Sequence, residues 1–394
     1  MTQEDHLIVA IQEEHKRNPV IKESLSPILL LLKLFGLYHE EKLSKSSKWK
    51  HKLSKIYSYV AMLLFLAAIG RSIAAMFFGR NKEDYFAIFV FIVCYLKCIG
   101  NLIACMRISP CSKSTQLYQF VDELQEFLDS IKLNQCRRQE NNFKAKLQIW
   151  LLIFILIFFT SVGVNIFVML YPIVNPDKEI GPVILPFPRT LPTCVAKILL
   201  DTLEYGVRLF PVALCGILTQ SLSYVFSEFY RYLKVKERDG LCLRSYIKEI
   251  REKYVAMTTM CTQLDDLIAL LMLVSYLTDI ILVCLMLRIC VFAVSGIARV
   301  VVLCWTLPCV FSLLSISFYA SQLVDKGGEM CTFIQKLDII NVNLDAKIQL
   351  DLLLFHLNSQ PVVLTIWKMI PLNKSIIISI FVSIITYFTI IITF

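Results

Sequence analysis

Seven long apolar runs leave this chain very little choice of fold. They lie at about 57–78, 85–106, 147–172, 195–223, 266–291, 296–322 and 375–394. Each is near or above the ~20 residues that cross a bilayer as a helix. Lipid offers backbone amides no partners, so each run must close its hydrogen bonds within itself. With 57% apolar residues and only 18% charged, a soluble domain of 394 residues has no interior large enough to hide them. The expectation is an all-α polytopic membrane protein with seven transmembrane helices. More than fifty polar and charged residues precede the first run, so it does not read as a secretory signal peptide.

Lysine and arginine orient the spans. The segment before the first span carries ten of them between Lys16 and Lys55. The second, fourth and sixth connections are also rich, with Arg107, Lys113, Arg137 and Lys146; Arg231, Lys236, Arg244 and Lys253; and Lys326, Lys347 and Lys374. The first, third and fifth connections hold only Arg80, Lys82, Lys178 and Arg189. The positive-inside bias therefore predicts a cytoplasmic N-terminus and, after seven spans, an extracellular C-terminus. The net charge of +9 is explained by membrane lipid headgroups, with no nucleic-acid partner implied. In that orientation the sequon Asn373-Lys374-Ser375 faces cytosol and stays unmodified. The sequence has 14 cysteines, most of them in spans or on the inner side. Cys94, Cys98, Cys105, Cys215, Cys284 and Cys304 read as small buried groups, while Cys194 and Cys290 near the outer face are candidates for a bridge.

Between the spans the chain divides unevenly. Residues 26–38, SPILLLLKLFGLY, are apolar but too short to cross, and read as a re-entrant or interfacial segment. The 173–194 connection, with Pro176, Pro182, Pro186, Pro188 and Pro192, reads as a stiff irregular cover. Residues 227–263 and 330–358 have helical apolar spacing, the latter at Leu337, Ile340, Leu344, Ile348 and Leu352. They are expected to continue the membrane helices inward and pack together below the bilayer. The expected parts are a cytoplasmic segment 1–56, a six-helix sensing bundle 57–322, an inner and membrane-edge segment 323–374, and a terminal helix 375–394.

Enzyme chemistry finds no support. The five histidines, His6, His15, His39, His51 and His356, all lie outside the spans, and no HExxH, CxxC or phosphate-binding glycine loop occurs. No cofactor is implied. Charged residues inside the spans carry more information, because each is costly in hydrocarbon unless paired or wetted. In the fourth span Lys197, Asp201, Glu204, Tyr205 and Arg208 fall on one helix face at steps of three or four. That face either forms a self-neutralising ladder of ion pairs or borders a water-filled pocket open to the outside. In the second reading Arg71, Asn165, Tyr276 and Asp279 converge on it as ligand-binding residues. Lys97 and Asn101 sit deeper and read as structural; Arg288 and Arg299 lie near span ends, where side chains snorkel.

The last span ends Thr386-Tyr387-Phe388-Thr389-Ile390-Ile391-Ile392-Thr393-Phe394, and the chain stops inside its apolar run. Its terminal carboxylate is expected at one membrane face or in a water-filled passage. Thr-Tyr, an apolar stretch, a polar residue and a final Phe resemble the C-terminal signature of insect gustatory receptors, whose penultimate residue is usually Gln where Thr393 stands here. The preceding layout resembles that family too: an apolar stretch from Pro361 to Ile370, a Pro371-Leu372-Asn373-Lys374 turn, then the last helix. The resemblance implies a tetrameric, ligand-gated cation channel whose last helix lines the pore. Ser383, Thr386, Ile390, Thr393 and Phe394 are the pore and gate candidates. Apolar rings at Ile390 and Phe394 would close such a pore by dewetting. The implied partners are a small-molecule tastant, permeant cations, and further copies of the chain or related receptors. An odorant receptor needing a co-receptor remains an alternative. A solute transporter is a further one, although the sequence shows no inverted repeat.

Overall fold

The fold was read from a computed structural model, which describes residues 20–38, 47–78, 82–108, 116–131, 137–174, 191–238, 243–292, 296–336, 344–359 and 362–393. The helices are α1 Val20–Leu34, α2 Ser47–Phe78, α3 Lys82–Ile108, α4 Gln116–Ile131, α5 Arg137–Val174, α6 Leu191–Arg238, α7 Leu243–Phe292, α8 Gly296–Gln335, α9 Leu344–Ser359 and α10 Lys374–Thr393. Two short strands, β1 Thr365–Ile366 and β2 Ile370–Pro371, pair antiparallel just before α10.

Every expected span lies within a helix as far as the described residues go, Phe394 being outside them, and α2, α3, α5, α6, α7 and α8 are long and apolar enough to cross a membrane. The seventh, α10, has 20 residues, about 30 Å at 1.5 Å per residue, which matches the hydrocarbon thickness. The helices with inner extensions are much longer. The 50 residues of α7 reach about 75 Å, over twice the hydrocarbon core. Residues 227–238 continue α6 and residues 243–263 begin α7 without a break, as the helical spacing predicted. Gly240, between the two helices, lies outside the described residues; of the irregular cover expected at 173–194, residues 175–190 also lie outside them, while 173–174 end α5 and 191–194, Pro192 included, are already helical in α6.

The bundle is built around α6, whose stretch from Glu204 to Thr219 is buried throughout. Packed against it are α5, α7, α8, α3 and α1, while α2 lies outside, mainly on α3. Two glycines set the closest approaches. A Cβ on Gly206 would stand 2.1 Å from the Phe35 ring, and one on Gly100 would stand 2.8 Å from Val274. The first contact explains the short apolar segment: after α1 the chain dips inward, and Phe35 packs at 5.1 Å from Phe210 and 5.6 Å from Phe158. Gly36, at φ 70°, turns the chain there, and its carbonyl accepts a hydrogen bond from Ser58. The tip of the segment is thus buried between α5 and α6.

Helix α4 was not singled out in the sequence, yet it is strongly amphipathic. Leu117, Phe120, Val121, Leu124, Leu128 and Ile131 are buried against α6, α7 and α1. Helix α9 corrects a sequence expectation. Of the predicted stripe, Leu337 and Ile340 lie outside the described residues, and Leu344, Ile348 and Leu352 are exposed. It is Leu353 and Leu357 that bury on α7. The packed stripe is rotated one residue, about 100°, from the one the spacing picked out.

Cys94, Cys98, Cys105 and Cys215 are buried, Cys284 and Cys304 half-buried, and Cys194 and Cys290 remain separate free thiols.

Candidate ligand site and terminal helix

A proline fixes the centre of the polar core. Pro211 lies inside α6 and has no N–H, so the Val207 carbonyl four residues back loses its helical partner. The Asn101 amide of α3 donates to that carbonyl at 3.0 Å. A polar residue that reads as a lone structural group in the sequence is thus the repair of a helix ladder two spans away.

Above this point toward the Leu191 end of α6, the charged residues resolve into three pairs. Lys197 is bonded to Asp201, one turn further along α6. Glu204 Oε1 accepts from Arg208 at 2.9 Å, again over one turn. Lys97 of α3 meets both oxygens of Asp279 of α7 at 2.6 Å, across the close α3–α7 approach that Gly100 allows. All six are buried, Asp279 completely. Three cations and three anions cancel, as buried charges in hydrocarbon must.

The pairs are linked into one network by neutral groups. Asn165 of α5 donates to Asp201 at 3.3 Å and accepts from the Trp305 indole of α8 at 2.7 Å. Lys197 reaches the Tyr95 hydroxyl at 3.3 Å and stands 4.9 Å from the centre of the Phe91 ring. The Arg208 guanidinium donates to the thiols of Cys94, at 3.2 Å, and Cys309, at 3.1 Å, and lies over the Tyr205 ring. Cys309 also lies beside Asp279, which brings the second pair next to the third. Arg71, half-buried on α2, is near enough to Asp201 to act on its charge. One donor is left over: Arg208 Nε is buried with no hydrogen-bond partner among the described residues.

Of the eight ligand-binding candidates, seven therefore gather around this network: Arg71, Asn165, Asp201, Glu204, Tyr205, Arg208 and Asp279. Tyr276 does not. Its hydroxyl is bonded to Ser317 of α8, on the wall of a narrow crevice that faces α10. The network also recruits Tyr95, Cys94, Cys309 and Trp305, which sequence reasoning passed over. Cys94 alone carried a signal, since it lies one turn before Lys97 on the same face of α3.

The terminal helix starts from a tied-down root. The Asp265 carboxylate of α7 accepts from the Thr365 amide at 2.6 Å and the Thr365 hydroxyl at 2.7 Å. Trp367 and Lys368 make the hairpin turn with φ of 50° and 58°, a left-handed conformation that costs a side-chain-bearing residue about 1–2 kcal/mol. Lys368 is held by Asp266, and Lys374 by Asp325 at 2.8 Å. Asn373 then caps α10, accepting from the Ile376 amide at 3.0 Å. Beyond this root, among the described elements, α10 packs on α7 and α8. Ser383, Thr386 and Thr393 are exposed and bond back to carbonyls of their own helix, and Ile390 is 51% exposed. Phe394 lies outside the described residues.

Six long apolar helices, a seventh of 20 residues and helical extensions beyond the apolar runs define the class: an all-α polytopic membrane protein. The chain matches the family described as 7tm Chemosensory receptor over residues 25–394 and belongs to it. It is thus a chemosensory receptor of the cell membrane, not an enzyme. The fold is similar to that of the insect olfactory receptor OR5 from Machilis hrabei, with a TM-score of 0.68 and 11% identity over 94% of this chain and 97% of that one. The same receptor in complex with eugenol matches at a TM-score of 0.64 and 11% identity, over 95% and 98%. A search of curated protein sequences returned no match.

Proposed function

We propose that this chain is a gustatory-type receptor, a tastant-gated non-selective cation channel formed by four copies. The exposed face of α10 carries this reading. A helix that spans the bilayer yet packs on two neighbours, with hydroxyls and Ile390 left uncovered, suits a pore wall completed by symmetry-related copies. Ser383, Thr386 and Thr393 would face permeating ions, and Ile390 and Phe394 would form the dry constriction. The orientation rests on the lysine and arginine bias, which places α10's last turn outside and the α6–α7 extensions in cytosol.

The charged network would be the ligand-responsive element. It lies toward the end of the bundle away from the extensions, and its unpartnered Arg208 Nε offers a donor to a ligand oxygen or to water. A ligand shifts the channel only by binding the open state more tightly than the closed one. Residues 57–322 would sense, residues 323–374 would anchor, and residues 375–394 would conduct, with the 1–56 segment in cytosol. That Machilis hrabei OR5 has been solved with eugenol supports a small organic ligand and keeps an odorant receptor with a co-receptor as the second reading.

The test is current or calcium entry in cells expressing this chain alone, challenged with sugars, bitter compounds and odorants. A tastant response without a co-receptor is the expected result. Responses only with a co-receptor favour the second reading, and ligand binding without any conductance overturns the channel.

A further inference from the structure

The crevice beside α10 is unlike the charged network in every respect. Its wall is Tyr276 and Val283 of α7, Val310, Leu313 and Ser317 of α8, and Ile377, Ile380, Phe381 and Ile384 of α10. At about 60 Å³ it lies well below drug-sized pockets, about 300–1,000 Å³, so only a slender occupant fits it. The lining is hydrocarbon apart from two hydroxyls, and these are bonded to one another. Water needs two to four polar partners to stay in a cavity, and this one offers almost none. A polar ligand would find no group free to orient it.

The crevice is also continuous with the lipid-facing surface. Leu277 and Ile281 of α7, Leu314 of α8, and Ile378 and Ile385 of α10 are exposed and alternate in sequence with the lining residues. Phe381 belongs to both, lining the crevice while 36% exposed. All of these positions lie in segments that cross the bilayer, so the neighbouring medium is acyl chains.

We propose that this crevice is a binding site for one acyl chain of a membrane lipid, which enters between α7 and α10 and fills the space against Leu313 and the Tyr276–Ser317 pair. The occupant replaces missing van der Waals contacts along the inner half of α10. It thereby sets the spacing of that helix from the bundle. The site needs only the membrane setting, and stands or falls apart from the tastant reading.

The experiment uses the full-length receptor reconstituted in nanodiscs containing phosphatidylcholine with a diazirine on its acyl chain. After illumination, adducts are mapped by peptide mass spectrometry. The expected result is labelling of residues 276–283 and 377–384. That labelling should drop several-fold in Leu313→Trp and in Val310→Trp, each of which fills the space with an indole. Labelling of the exposed face of α2, at Leu63 and Leu66, should stay unchanged and so reports that the variants remain folded and embedded. Equal crevice labelling in wild type and both variants would overturn the site. So would labelling confined to α2, or disulfide formation between copies carrying Ile380→Cys, which would show that a second chain occupies the crevice.

Discussion

Asp201, Glu204 and Arg208 each have a partner one turn away, and that single fact governs what their replacement should do. Removing one member of a buried pair strands the other, at about 3–5 kcal/mol. If the pairs only hold the bundle together, Glu204→Gln lowers receptor at the surface and leaves the sensitivity of the survivors unchanged. If the network contacts ligand, Asp201→Asn and Glu204→Gln shift the half-activating concentration while surface biotinylation changes less. The structure adds a sharper case. Gly206 has no room for a side chain because the Phe35 ring occupies it. Gly206→Leu should therefore expel the buried tip and reduce folded receptor several-fold, as measured by fluorescence-detected size exclusion. Phe35→Ala in the same chain should restore part of the loss. That the charges of the fourth span share a face was legible from their spacing. That Asn101 serves Pro211 was not, because no local pattern tells which helix a polar group will meet.

At the scale of elements, α10 and its hairpin carry the gating argument. Ile390→Ser or Phe394→Ala should wet a hydrophobic constriction and give leak current without ligand, recorded by whole-cell clamp. Wild-type resting current from both variants at normal surface levels would remove α10 from the pore. Thr393→Gln should change reversal potentials if this position meets ions, and leave them alone if it meets lipid. The element boundaries were largely readable: seven apolar runs gave seven helices, and Pro371-Leu372-Asn373-Lys374 marked the start of the last to within a residue. The misses share one cause. The period of α9 was right but its buried face was not, because several faces of that helix are apolar and only the position of α7 chooses among them. Tyr276 was misplaced for the same reason; its partner Ser317 lies 41 residues away on another helix.

For the whole molecule, orientation is the property most open to a decisive measurement. The lysine and arginine bias predicts an N-terminus in cytosol; in that orientation Asn373, which caps α10, would sit at the inner membrane edge and never meet the glycosylation machinery. An intact-cell glycosidase shift should be absent for the wild type, and tags on the N-terminus should require permeabilisation to stain. Glycan at Asn373 would invert the topology and with it the reading of α10. The orientation is an expectation from lysine and arginine counts, which depend on no tertiary contact. The network's self-neutralising arrangement needed the folded chain, since sequence spacing left both a ladder and a wet pocket open.

Helix α7 runs unbroken for 50 residues, and the features along it turn a length into a transmission. Asp279 is clamped to Lys97 inside the charged network, Tyr276 forms a crevice wall, and Asp265, almost four turns further back, grips Thr365 at the root of α10. A rod pinned at these stations converts a small tilt at one into displacement at the others, as a rocker arm does. Cutting the linkage at its far end should uncouple sensing from opening. In Asp265→Ala the half-activating concentration should stay near wild type while the maximal current falls, at matched surface expression. An unchanged maximal current would show that motion reaches α10 by another route.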